Sequence, residues 1–483
     1  MAELEFKGSD RISGLAVGAG LLAVTLVVPP PADMPLAAWR VAGISLLMAT
    51  LWITEALPIP ATALVPLVLF PLLGIAPMGA TAAPYADPII FLFLGGFIIG
   101  AGMQRWDLHR RIGLHAIALM GTTPRRLVGG FMLSTALLSM WISNSATAIM
   151  MLPVAASVLA LLDRNQTPAG APRDNLGIVL MLAVAYGASI GGLGTLIGTP
   201  PNALLAAYMA REHGVTIGFA EWMALGLPLV AVMLAGAWLI LIRLYPLEQT
   251  GGGEARSAVQ AELEKLGAMT RAERRVAAVF GLTALAWVTR PLYAGVVPAI
   301  NDTVIAIAGA LMLFVLPSGM PDARRLVVWD DLKALPWGVL ILFGGGLSLA
   351  SAINASGLAA WLGAAMAVLA DWPVLLIVSA ATLAMIFLTE LTSNTASAAT
   401  FLPIGGALAV GIGLDPLALT VPLALAASCA FMLPVATPPN AIVFSSGRIT
   451  VSQMARAGLW VNLFGSVAIV AIASPLAGWL FGE

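Results

Sequence analysis

From Ile12 onward, apolar runs near the ~20 residues that cross a bilayer follow one another with only short polar interruptions, too many for one water-soluble core to bury. They fall at 12–29, 37–56, 60–77, 88–105, 176–210, 220–245, 276–294, 297–317, 336–354, 416–445 and 457–481, with 176–210 and 416–445 interrupted. Two pairs of shorter arms, 127–143 with 145–162 and 373–391 with 396–411, pair as hairpins. The expected fold class is an all-α integral membrane protein with eleven crossings and two re-entrant hairpins. A hydrophobic fraction of 60%, a charged fraction of 10% and a mean hydropathy of +0.97 agree with it.

Little else in the composition points to chemistry. The formal net charge of −1 gives no reason to expect nucleic acid as a partner. Cys429 is the only cysteine, and His109, His115 and His213 lack metal-ligand spacing, so disulfide and zinc readings drop out. Lys7 and Arg11 before the first apolar run imitate a signal peptide, but no small-residue cleavage site follows. That run reads as a retained first helix within 1–36.

Two polar triplets stand in the apolar background where lipid would penalise them: Ser143-Asn144-Ser145 and Ser393-Asn394-Thr395. They recur in register. Phe93-Leu94-Gly95-Gly96 precedes Asn144 by 51 residues from its Phe, and Phe343-Gly344-Gly345-Gly346 precedes Asn394 by the same 51. Ser139 and Thr389 each sit five residues before their Asn. Gly198-Thr199-Pro200-Pro201-Asn202 is answered by Ala436-Thr437-Pro438-Pro439-Asn440, and Trp52-Ile53-Thr54 by Trp287-Val288-Thr289. The chain therefore divides into a first repeat, 37–245, a polar cytoplasmic linker, 246–275, and a second repeat, 276–483. Five crossings in each repeat, an odd number, make the two inverted. Segments 106–121 and 355–369 read as helices lying along the interface.

Lysine and arginine orient the chain. With a cytoplasmic N-terminus, twenty basic residues fall inside and only Arg40, Arg211 and Arg290 outside, a strong positive-inside bias that puts the C-terminus outside.

Each Pro-Pro pair breaks a helix and frees carbonyls at depth, while each hairpin tip offers hydroxyls, an amide and a helix N-terminus. Carbonyl and hydroxyl oxygens suit Na+; N–H donors suit a carboxylate. No Lys, Arg or His falls in either tip or break, so a buried dianion needs dipoles and bound cations for compensation.

These residues resemble the divalent anion/sodium symporter family, whose substrates include dicarboxylates, citrate and sulfate. The resemblance is carried by Ser428, Phe431, Pro434-Val435-Ala436, Asn440 and Ile442-Val443, by the second Ser-Asn-Thr motif and by the repeated halves. Ser145 stands where the family usually has Thr. The resemblance implies one Na+ at Ser139, Ser143, Asn144 and Gly198 and another at Thr389, Thr392, Asn394 and Ala436. It implies a small dianion held by Ser143, Asn144, Ser145, Ser393, Asn394, Thr395, Thr437 and Pro438. It further implies a homodimer in the cell inner (cytoplasmic) membrane whose hairpin-bearing unit moves as an elevator.

Plainer readings cover the remaining features. Glu390 reads as a hydrogen-bonded anchor of its hairpin, and Glu55 as structural. Phe343-Gly344-Gly345-Gly346 reads as close helix packing, and Trp329-Asp330-Asp331 as a solvated cap. An enzyme would need a converging nucleophile, metal cluster or acid pair, and none is present. A channel gives no reason for two matched tips facing broken helices. The expected function is Na+-coupled symport of C4-type dicarboxylates such as succinate, malate and fumarate. Na+-coupled sulfate or citrate transport and Na+-independent dicarboxylate exchange are the alternatives.

Overall fold

The structure is a computed structural model that describes residues 8–121, 123–163, 175–247, 252–321 and 325–482. Lys7, Arg164, Arg173 and Arg324, the start of the linker and the side chain of Arg11 lie outside what it describes. Among the described residues the regular elements are helical, with strand pairing confined to an isolated bridge between Pro317 and Arg325.

Seven helical stretches have the length and apolar character to cross a membrane: Leu36–Thr54, Met78–Arg105, Asn175–Gly192, Phe219–Leu244, Arg271–Tyr293, Trp337–Ala355 and Val451–Phe481. The other four expected crossings are shorter apolar helices. Proline and capping chemistry explain the shortening. The run at 60–77 divides into Ile59–Thr62 and Val65–Leu72, the second starting with Pro66 in its first turn. The run at 297–317 becomes Asp302–Val315, because Asn301 caps that helix by accepting from the Val304 N–H at 3.0 Å.

The polar linker contains a helix. Gly252–Leu266 is a helix packed against Leu108–Met120 and Asn144–Asp163. Arg271 to Arg275 belong to the next helix, not to the linker, because Thr270 and Glu273 form a capping box at its start.

Each expected hairpin is a helix pair with a short turn: Pro124–Ser139 with Asn144–Asp163, and Val374–Thr389 with Asn394–Gly411. Each triplet therefore straddles the start of a helix, with Asn144 and Asn394 as its first residues. The two interrupted runs break after Gly192 and after Ala427, and resume at Pro200 and Pro438. Proline fits there because the first helical turn needs no N–H from it.

Asn175–Gly192 lies at the centre, 89% of its apolar window buried. Around it the two halves of the chain interlock. The arm Asn144–Asp163 packs on Pro438–Phe444 of the second broken run, and Asn394–Gly411 packs on Pro200–His213.

The matched glycines close two helix crossings. A Cβ on Gly95 would lie 2.7 Å from the Ala306 backbone carbon, and one on Gly345 would collide with the Ala63 carbonyl oxygen. No side chain fits at either contact. Gly95→Leu and Gly345→Leu are each expected to cost about 1–3 kcal/mol or more by overpacking. Thermal melting in detergent checks this against Gly281→Leu, whose Cβ meets nothing within 4 Å and which should melt like the parent protein.

Candidate functional site

At the first tip, Ser139 is fully buried as the last residue of the helix Pro124–Ser139. Its hydroxyl lies 2.6 Å from the side-chain amide of Asn144, and the same amide group lies 3.2 Å from the carbonyl oxygens of Ala188 and Gly198. With the amide nitrogen turned inward, it donates to all three. With the amide oxygen turned inward, four oxygens converge with no proton donor beyond the Ser139 hydroxyl, which is the environment of a cation. The break closes tightly on this cluster. A Cβ on Gly192 would lie 2.8 Å from the Asn144 side chain, and one on Gly198 would collide with the Gly192 carbonyl.

The second tip repeats the chemistry. Thr389 Oγ1 lies 2.8 Å from Asn394 Oδ1 and 2.9 Å from the Ala427 carbonyl, and is likewise fully buried. Thr437 caps Pro438–Phe444 by accepting from the Asn440 N–H at 3.3 Å. The two breaks meet directly, with Thr199 Oγ1 3.4 Å from Ser428 Oγ. Tyr186, in the central helix, donates to the Phe431 carbonyl at 2.9 Å, tying the first repeat to the second break.

Within each triplet the roles divide. Ser143 Oγ accepts from the Ala146 N–H at 3.3 Å, a local cap. The hydroxyls of Ser145, Ser393 and Thr395 make no hydrogen bond among the described residues, which leaves them free for a ligand at two helix N-termini. The Thr392 hydroxyl donates to the Leu388 carbonyl at 3.0 Å and meets Ser397 Oγ at 2.6 Å, inside its own helix pair. Ala436 lies within the second break, 8% exposed, its N–H on the Leu433 carbonyl at 3.2 Å.

What braces the tips is not repeated. In the first half, Thr195 Oγ1 donates to the Met140 carbonyl at 2.5 Å. In the second, the residue after Thr389 is Glu390, whose buried carboxylate accepts from the N–H groups of Phe431, Met432 and Leu433 at 2.7, 2.9 and 3.1 Å and from Asn462 Nδ2 at 2.7 Å. Glu390 thus anchors its hairpin to the second break, in line with the sequence reading. Glu55 is an exposed, left-handed C-cap of Leu36–Thr54, a structural role. Asp331 caps a 3-10 turn and pairs with Arg105. Among the described residues no group of three or more His, Cys, Asp or Glu side chains could hold a metal.

Two side chains received no role from the sequence. Asn202 and Asn440, both fully buried, each donate two hydrogen bonds into their own break. Their signal was present, since both close the matched Thr-Pro-Pro-Asn segments.

Residues 10–482 match a family model described as the sodium:sulfate symporter transmembrane region. The chain belongs to this symporter family. Its relatives include the sodium-dependent dicarboxylate transporter SdcS of Staphylococcus aureus strain USA300, 42% identical over 475 residues, covering 96% of this chain and 91% of SdcS. SdcS of strain N315 matches equally. The fold is similar to the crystal structure of the YdaH transporter of Alcanivorax borkumensis, with a TM-score of 0.54 at 15% identity over 97% of this chain and 98% of that one. Family and relatives are transporters, and the chain is not an enzyme.

Glu390→Ala leaves three backbone donors and the Asn462 amide without their acceptor in a buried loop. The expected loss is about 3 kcal/mol or more, and Glu390→Gln, which keeps one acceptor oxygen, should lose less. Melting of both variants in detergent checks this; parental melting of Glu390→Ala would contradict the anchor.

Proposed function

We propose that this chain is a Na+-coupled symporter of C4-type dicarboxylates in the cytoplasmic membrane. The observation that carries the reading is the mirrored pair of neutral oxygen clusters, Ser139–Asn144–Ala188–Gly198 and Thr389–Asn394–Ala427, each beside a helix N-terminus with free hydroxyls. One Na+ sits with Ser139, Ser143, Asn144 and Gly198, the other with Thr389, Thr392, Asn394 and Ala436. The substrate's carboxylates take the hydroxyls of Ser143, Ser145, Ser393 and Thr395, the amides of Asn144 and Asn394, and the turn at Thr437 and Pro438. The two cations offset a charge that no arginine or lysine in either tip neutralises. The printed name of SdcS, a sodium-dependent dicarboxylate transporter, supports both the ion and the substrate class.

The helix pairs 124–163 and 374–411 act as re-entrant hairpins of two inverted repeats, 37–245 and 276–483. They belong to a unit that moves as an elevator against the remaining helices of a homodimer, with the N-terminus cytoplasmic and the C-terminus outside. Parts of the interlocked centre move together, since Thr199–Ser428 and Tyr186–Phe431 bind both breaks into one body. The family description names sulfate, which keeps sulfate as the second reading.

Radiolabelled succinate uptake into proteoliposomes tests this. Uptake should require a Na+ gradient, fall to background when choline replaces Na+, and resist sulfate competition. Equal uptake in choline removes the symport reading, and full competition by sulfate favours the second. Asn144→Ala and Asn394→Ala should each abolish uptake with membrane insertion intact; normal uptake by both would take these residues out of the site.

A further inference from the structure

The matched segments Thr199-Pro200-Pro201-Asn202 and Thr437-Pro438-Pro439-Asn440 do more than break helices. In the first, Asn202 Nδ2 donates to the carbonyls of Gly192 at 3.0 Å and Thr195 at 2.8 Å, ten and seven residues back. In the second, Asn440 Nδ2 donates to Ala430 at 3.1 Å and Leu433 at 3.0 Å, again ten and seven residues back. Both side chains are fully buried, and in both the amide oxygen has no hydrogen-bond partner among the described residues. A buried acceptor left unpaired is costly, and finding the same one twice means that the two N–H donors are what each break needs.

A broken helix releases several carbonyls at once, and in a low-dielectric interior each seeks a donor or a cation. Were all of them to turn toward the ion, the break would collapse around it with no defined geometry. Each Asn removes two from the competition. In the first half this leaves Gly198 beside Asn144, next to the Ala188 carbonyl of the preceding helix; in the second it leaves Ala427 beside Thr389, with Ala436 later in the same loop.

We propose that Asn202 and Asn440 are positioning residues for the two cation sites, each sorting the carbonyls of its break into those it holds and those that face Na+. This rests on the Na+-coupled reading above. Neither side chain touches the ion; each acts through the loop it folds.

The test uses the full-length protein with Asn202→Leu, Asn202→Ser, Asn440→Leu and Asn440→Ser. Leucine keeps the bulk and has no donor, while serine keeps one donor. Two readouts are taken: the Na+ concentration for half-maximal succinate uptake, and the Na+ concentration for half-maximal thermal stabilisation of purified protein without substrate. Both should rise by about tenfold or more in the leucine variants and by less in the serine variants, with the maximal rate at saturating Na+ held within about threefold. Unchanged Na+ dependence in folded leucine variants overturns the proposal. So does loss of folding in all four, because the amides would then be holding the fold and not the ion site. Na+-independent uptake and melting of the parent protein would instead overturn the symport reading itself, so the two failures are distinguishable.

Discussion

A carbonyl or N–H released from its helix in an apolar interior must be matched by something, and the centre of this protein is an arrangement for matching such groups. Two helices are interrupted, after Gly192 and after Ala427, and each interruption frees backbone groups from their helix. Asn202 and Asn440 take two carbonyls each, Glu390 takes three N–H groups, and Thr195 and Thr389 reach carbonyls of neighbouring segments. The carbonyls left over lie beside Asn144 and Thr389, next to the helix N-termini of the two pairs. Cation-seeking oxygens and anion-seeking N–H groups are thereby set side by side without a lysine, arginine or histidine at either tip.

The halves agree where ligands would bind and differ where the scaffold holds them. Ser139 with Asn144 and Thr389 with Asn394 are near copies in spacing and distance. Their supports are not. The position of Glu390 is held in the first half by Met140, which contributes only a backbone carbonyl, and that of Thr392 by Ile142, so Thr147 is left without the hydroxyl partner that Ser397 finds. The second break is therefore tied down by a carboxylate and the first by a single hydroxyl. Selection for two oxygen cages constrains the cages alone; any support that closes the same loop suffices.

Much of this was legible in the residues. Apolar run length gave the helices, the triplets fell at helix starts, and the Pro-Pro pairs marked where both broken helices resume. The errors follow from what a run of letters does not encode. Hydropathy cannot see Asn301 capping a helix several residues inside an apolar run, nor Thr270 and Glu273 starting one inside a polar linker. Side-chain direction is equally hidden: the letters do not show that the Thr392 hydroxyl turns onto Leu388 and Ser397. Asn202 and Asn440 were visible as repeated letters, but only coordinates join an amide to carbonyls ten and seven residues away.

In the proposed site, neutral dipoles and two cations, with no basic side chain, hold a dianion between the two tips. An experimental map of the protein in lipid nanodiscs with succinate and Na+ tests it most directly. The account predicts succinate within hydrogen-bond reach of Ser145, Ser393 and Thr395, flanked by one ion at the Asn144 amide and one at the Asn394 amide. Succinate bound against an arginine or lysine elsewhere, with both oxygen clusters free of ions, would contradict it.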